Sequence, residues 1–291
     1  AIQGWPHPVS TEDKLAYYRS LLDVGFSTLD MGSFVSHKAV PQMADTRAVF
    51  NALADEGKLD GPTKPLVIVA NERGAKDARA AHGVRVVGFP LSVSATFQMR
   101  NTGADSDAAW LRLSHIKELL ESTGIELVVY LSMGFGNPYG DDWSESLLID
   151  WIGELERRIA PDVIALSDTV GNATPELLTS SFRQAIEVSG STALGAHLHA
   201  APWDVHAKIQ AVWDAGCRRF DSAMRGIGGC PMAQEELVGN VPTEAVKIEV
   251  SPASASVSFD KTLVDAFVVT VVVPPSITWI VSATPTGKLL M

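Results

Sequence analysis

The chain has 291 residues, 46% hydrophobic and 20% charged, which excludes a disordered or collagen-like polymer. Its 34 acidic against 23 basic residues give a formal charge of −11, arguing against nucleic acid or an anionic membrane as partner. Two cysteines, Cys217 and Cys230, are too few for a disulfide scaffold and point to a reducing, cytoplasmic setting.

The chain opens Ala1-Ile2-Gln3 without a starting Met, a basic n-region or an apolar h-region, so this end reads as processed, trimmed or incomplete. Ser10 to Val24 then reads as a helix: Ser10 or Thr11 caps it, Glu12 and Asp13 suit its first turn, and Gly25 stops it. A strand follows at Thr28 to Met31. The theme recurs as helix 44–54 before strand 66–69, helix 72–81 before strand 84–89, and helix 106–121 before strand 125–131. It continues as helix 143–159 before strand 163–166, helix 175–188 before strand 193–197, and helix 204–215 before strand 218–222. Seven nearly continuous apolar strands after seven amphipathic helices predict a parallel sheet covered by helices. The α/β class expected is a (β/α)₈ TIM barrel whose first strand falls before Ala1 and is absent from the chain. A doubly wound sheet is the rival, but Gly134-Phe135-Gly136 and Gly226-Ile227-Gly228-Gly229 lack the dinucleotide-loop spacing. The barrel domain is expected over residues 1–245, with 246–291 as a tail outside the theme. Within that tail, Phe267 to Val273 has strand propensity and is too short to span a bilayer.

Active sites of such barrels form at the C-terminal ends of the strands. Polar residues stand there repeatedly: Asp30 and Ser33, Asn71, Ser94, Ser132, Asp168 with Thr169, and His197-Leu198-His199. Residues two apart on a strand share a face, so His197 and His199 are either two ligands of one metal ion or two hydrogen-bonded histidines. Asn240 and an acidic strand-end residue are the natural oxygen donors to complete such a site. The loop from Gly226 to Pro231 presents the Cys230 thiol as an acid or base, or is a plain structural turn. Cys217, His7, His82, His115 and His206 read as structural.

These segments together resemble the 3-hydroxy-3-methylglutaryl-CoA lyase family, among the metal-dependent barrels that include isopropylmalate and citramalate synthases. The matching pieces are Ser33-Phe34-Val35-Ser36 through Pro41-Gln42-Met43, Tyr130 with Pro138-Tyr139-Gly140, Ser167 to Gly171, His197-Leu198-His199, and Gly228-Gly229-Cys230-Pro231 with Gly239-Asn240. The resemblance implies a divalent cation, Mg²⁺ or Mn²⁺, held by His197, His199 and Asn240. The family's fourth ligand is an Asp in an Arg-Asp pair followed by a Gln that Gln3 resembles, so that pair would fall just before Ala1. Cys230 would be the loop acid/base, His197 a ligand close to the proton transfers, and Asp30 the acidic residue of the second strand. Gln3, Ser33, Asn71, Ser132, Asp168 and Thr169 would line the substrate, with Asp168 supporting the network. The reaction implied is cleavage of a branched 3-hydroxyacyl-CoA to acetyl-CoA and acetoacetate by a homo-oligomer, a dimer. A related acyl-CoA-dependent synthase and an impaired relative lacking the Arg-Asp pair are the alternatives. An amidohydrolase-type metal hydrolase fits less well, because its paired histidines sit on the first strand. Ala200 and Asn137 depart from the family, standing where relatives often carry Asp and Cys.

Overall fold

In the computed structural model the described residues are 7–229 and 238–246, together with short strands at 256–258, 268–272, 282–283 and 288–290. Local signals set the helix ends. In α1 (Thr11–Val24) the Ser10 hydroxyl accepts from the Asp13 N–H, and Gly25, at φ 82°, turns the chain out in the left-handed region. Then come α2 (Thr46–Asp55), α3 (Glu72–Arg79) capped by Asn71, and α4 (Ala95–Thr102) capped by Ser94. After them lie α5 (Ser106–Leu120), α6 (Glu145–Arg158), α7 (Pro175–Val188) with Pro175 in its first turn, and α8 (Val205–Asp214). Helix α4 has no counterpart among the expected elements: at eight residues it is too short to show a helical period. None of the helices searched, among the described residues, is long and apolar enough to cross a membrane.

Strands β1 (Thr28–Ser33), β2 (Lys64–Ile68), β3 (Val86–Ser92), β4 (Glu126–Ser132), β5 (Val163–Asp168), β6 (Ala193–Leu198) and β7 (Arg219–Ala223) pair in chain order, each parallel to the next. This is the α/β TIM-barrel-like fold expected from the sequence. The strand expected from Val84 starts at Val86, because the Val84 N–H still bonds back to Ala81 in the turn leaving α3. Leu66, Val86, Val128, Val163 and Ala165 fill the barrel interior, with Ile68 and Tyr130 above them. The alternate strand residues, among them Leu29, Val67, Val129 and Leu166, face the helices in one larger apolar layer.

In the tail, β8 (Ser256–Ser258) joins β10 (Ser282–Ala283) and β11 (Lys288–Leu290) in a small sheet. The strand β9 (Val268–Val272) instead closes the barrel between β7 and β1, antiparallel to both. That place belongs to the barrel strand expected before Ala1 and absent from the chain, and the strand expected within residues 267–273 of the tail stands in it. The edges of β1 and β7 present unpaired backbone N–H and C=O groups, and a β-branched run satisfies them in either direction.

Two glycines make room for side chains inside the barrel. A Cβ at Gly88 would lie 2.6 Å from Ile68 Cδ1 and 2.7 Å from Tyr130 Cε2, and one at Gly195 would lie 3.0 Å from the Arg219 side chain. Gly88→Ala is therefore an overpacking change, expected to cost about 1–3 kcal/mol. A denaturation midpoint unmoved by that substitution would show that Tyr130 is not wedged against β3.

Candidate active site at the C-terminal end of the barrel

Strand alternation turns Asp30, Tyr130, His197, Arg219 and Asp221 into the barrel, since their neighbours Leu29, Met31, Val129, Leu131, Leu198 and Phe220 are all buried in the helix-facing layer. His197 is the meeting point. Its Nδ1 lies 3.1 Å from Asp221 Oδ2, and the Tyr130 ring packs edge-on against it with centroids 5.4 Å apart. Arg219 Nη2 stands 3.7 Å from the other Asp221 oxygen, and Arg219 Nε and Nη2 are buried without a hydrogen-bond partner among the described residues. Arg219 therefore acts on Asp221 chiefly as a neighbouring positive charge.

Asp30 shares this space. Burial pushes its carboxyl up to about 6; the Asp221 charge adds to the rise, while the Gly32 N–H and His197 oppose it. A β-bulge just after Asp30 shifts the register, so that Ser33 pairs with Ile68. The raised value fixes a sign for stability. Above about pH 6 Asp30 is charged in the folded and unfolded chain alike and its burial opposes folding. Below about pH 4, the ordinary carboxylate range, it is neutral in both and the opposition is gone. Asp30→Asn is expected to stabilise the chain relative to wild type at pH 7 and to lose that advantage at pH 4, as read from urea midpoints. A gain independent of pH would contradict the shift.

The second histidine continues β6. The His199 N–H donates to the Asp168 carbonyl at 3.2 Å, its Nδ1 faces the Val238 carbonyl at 3.0 Å, and its backbone bridges Asn240 in antiparallel register. Burial, reinforced by His197, lowers its pKa to about 3, so the imidazole is neutral at ordinary pH. The Asn240 amide donates to the Ile227 carbonyl at 2.8 Å, which leaves its oxygen for another partner. The two imidazole rings are 5.5 Å apart. With each Nδ1 anchored, each Nε2 is the remaining ligating atom, the arrangement that fixes metal-binding histidines in the right tautomer. Two imidazole nitrogens and an amide oxygen fit a divalent cation. Three or more His, Cys, Asp or Glu side chains do not converge on one point among the described residues.

The other expected site residues fall in different places. The Ser33 hydroxyl is buried without a partner among the described residues, and Ser132 is buried at the end of β4. Thr169 Oγ1 accepts from the Met133 N–H at 2.8 Å. Asn71 caps α3, and Ser94 caps α4 while donating to Asp141. Asp168 follows the lumen-facing Ser167 by one residue, so it points outward, where it pairs with Lys208 at 2.7 Å. Gln3 and Cys230 lie outside the described residues. Arg219, Asp221 and Lys208 were not singled out from the sequence. For the first two the signal was there, in two charged residues at alternate places of an apolar strand.

Residues 2–266 match the HMGL-like family model. The chain is 28% identical over 249 residues to the (R)-citramalyl-CoA lyase of Chloroflexus aurantiacus, covering 84% of this chain and 78% of that protein. It is 29% identical over 243 residues to the mitochondrial hydroxymethylglutaryl-CoA lyase of Macaca fascicularis, covering 84% and 73%. Among solved structures it resembles an HMG-CoA lyase from Acinetobacter baumannii in complex with coenzyme A and 3-methylmalate, with TM-score 0.75, 27% identity, and coverage of 84% and 77%. The HMG-CoA lyase from Brucella melitensis is similar too, with TM-score 0.74, 28% identity, and 84% of each chain covered.

Proposed function

The chain belongs to the HMGL-like family, and from that premise we propose that it is a carbon–carbon lyase for 3-hydroxy-3-methylglutaryl-CoA or a similar branched 3-hydroxyacyl-CoA, dependent on Mg²⁺ or Mn²⁺. The observation that carries this reading is the pair His197 and His199, each anchored at Nδ1 and set beside the Asn240 amide. A cation bound there supplies positive charge that favours the substrate alkoxide over the alcohol.

The chain's own groups do the rest. Asp221 fixes the tautomer of His197 and holds its ring against Tyr130, so that Nε2 points to one place. Asp30, with a carboxyl that titrates near 6, is suited to share a proton with the tertiary hydroxyl. Loss of that proton lets the electron pair on oxygen form the new ketone as the C2–C3 bond breaks. The bond's electrons pass to the thioester as an enolate, which takes a proton at carbon to give acetyl-CoA, with acetoacetate as the other product. Cys230 is assigned the acid/base exchange on the loop that it occupies. Ser33 and Ser132 are assigned to the substrate, and Asn71, Asp168 and Thr169 to holding the loops that flank it.

The test is acetyl-CoA release by the purified chain with 3-hydroxy-3-methylglutaryl-CoA and Mn²⁺ or Mg²⁺, beside Cys230→Ala. Acetoacetate as co-product supports the reading. Turnover of (R)-citramalyl-CoA alone would move the substrate, consumption of acetyl-CoA with a 2-oxo acid would favour a synthase, and no reaction with any of these would reject both. An unimpaired Cys230→Ala would remove that thiol from the mechanism.

A further inference from the structure

We infer that Lys208, in the helix layer outside the barrel, is a positioning residue that sets the direction of the His199 imidazole by gripping its main chain, with Asp168 as its counter-charge. The inference rests on the reading of His199 as a metal ligand. The Lys208 side chain is 2% exposed and that of Asp168 is fully buried. The ammonium has three N–H donors and three acceptors: Asp168 Oδ2 at 2.7 Å, the Gly171 carbonyl at 2.8 Å and the His199 carbonyl at 3.2 Å. Asp168 in turn accepts from the Asn172 N–H at 3.0 Å and the Ala173 N–H at 3.3 Å. One buried pair thus joins the end of β5, the loop after it, the residue that follows β6, and α8.

His199 is held on both sides of its α-carbon. Its N–H donates to the Asp168 carbonyl and its own carbonyl accepts from Lys208, while Val238 takes Nδ1. Net stability is a poor reason for such a pair, because apolar residues of similar volume commonly serve a buried site as well or better. An apolar pair does not hold the Gly171 and His199 carbonyl groups in one geometry. What Lys208 adds is direction, and His199 is the member of its cluster where direction governs chemistry.

Lys208→Met isolates this contribution, and Lys208→Met/Asp168→Leu keeps the interior free of an unpaired charge should the single variant not fold. Two readouts are needed. Mn²⁺ titration of the intact chain is expected to weaken by about 10–100-fold in the folded variant, the usual size of an outer-shell effect. Long-range ¹H–¹⁵N correlation spectra of the metal-free chain are expected to show one fixed His199 tautomer in wild type and an averaged ring in the variant. A folded variant with Mn²⁺ affinity within twofold of wild type and an unchanged His199 signal overturns the inference. If wild type and His199→Ala bind Mn²⁺ equally, the ligand reading fails and takes the inference with it, an outcome that the wild-type comparison identifies on its own.

Discussion

His197→Ala is expected to lower kcat/KM for acyl-CoA cleavage by about 10³-fold or more, since positioned proton transfer alone is worth about 10²–10⁴. The size follows from how many contacts converge on this ring. It is bonded to Asp221, packed against Tyr130 and set beside His199. Its removal takes away a donor of the proposed cation site and costs the buried Asp221 carboxylate its imidazole partner. A subtler variant separates position from presence. In Asp221→Asn the amide can donate to His197 Nδ1, which moves the ring proton to Nε2 and blocks the atom that should ligate. That variant is expected to keep its fold and lose Mn²⁺ affinity together with turnover. Acetyl-CoA release measured across a Mn²⁺ series decides the matter. Activity of His197→Ala within tenfold of wild type at saturating Mn²⁺ would remove this residue from the chemistry.

The residues that made the site legible are those whose message is local. Ser10 and Gly25 announce the ends of α1, and His197-Leu198-His199 announces two side chains on one face of a strand. What the sequence hid is long-range or a matter of one residue's parity. Lys208 lies 40 positions from Asp168, on a helix that reads as merely amphipathic, so the pair exists only once α8 packs beneath β5 and β6. Asp168 was expected to face the substrate, yet it follows Ser167 by one position, and a shift of one along a strand reverses the face. Arg219 and Asp221 obey the same alternation as the histidines, but they stand within β7, away from the C-terminal strand ends where barrel active sites form. The tail shows the limit from the other side. Its β-branched run is readable as a strand, while its partners, β7 and β1, are set by which backbone edges the barrel leaves unpaired.

The same buried pair carries the largest stability effect expected of a single substitution. Asp168→Ala removes the carboxylate and leaves the Lys208 ammonium, 2% exposed, with two carbonyl oxygens and no counter-charge. Breaking a buried pair from one side is expected to destabilise the fold by about 3–5 kcal/mol. For a chain of this size that is a fall in Tm of about 10 °C. The carboxylate also caps two backbone N–H groups after β5, and those lose their acceptor in the same change. Replacing both members, as in Lys208→Met/Asp168→Leu, is expected to recover most of the loss, because the larger part of the penalty is the stranded charge and the smaller part is the lost attraction. Thermal melts of wild type, the two single variants and the double variant form a complete cycle. Equal and additive losses in the two singles, with no recovery in the double, would mean that the ammonium and the carboxylate contribute separately, and the pair would no longer explain why a lysine is buried there.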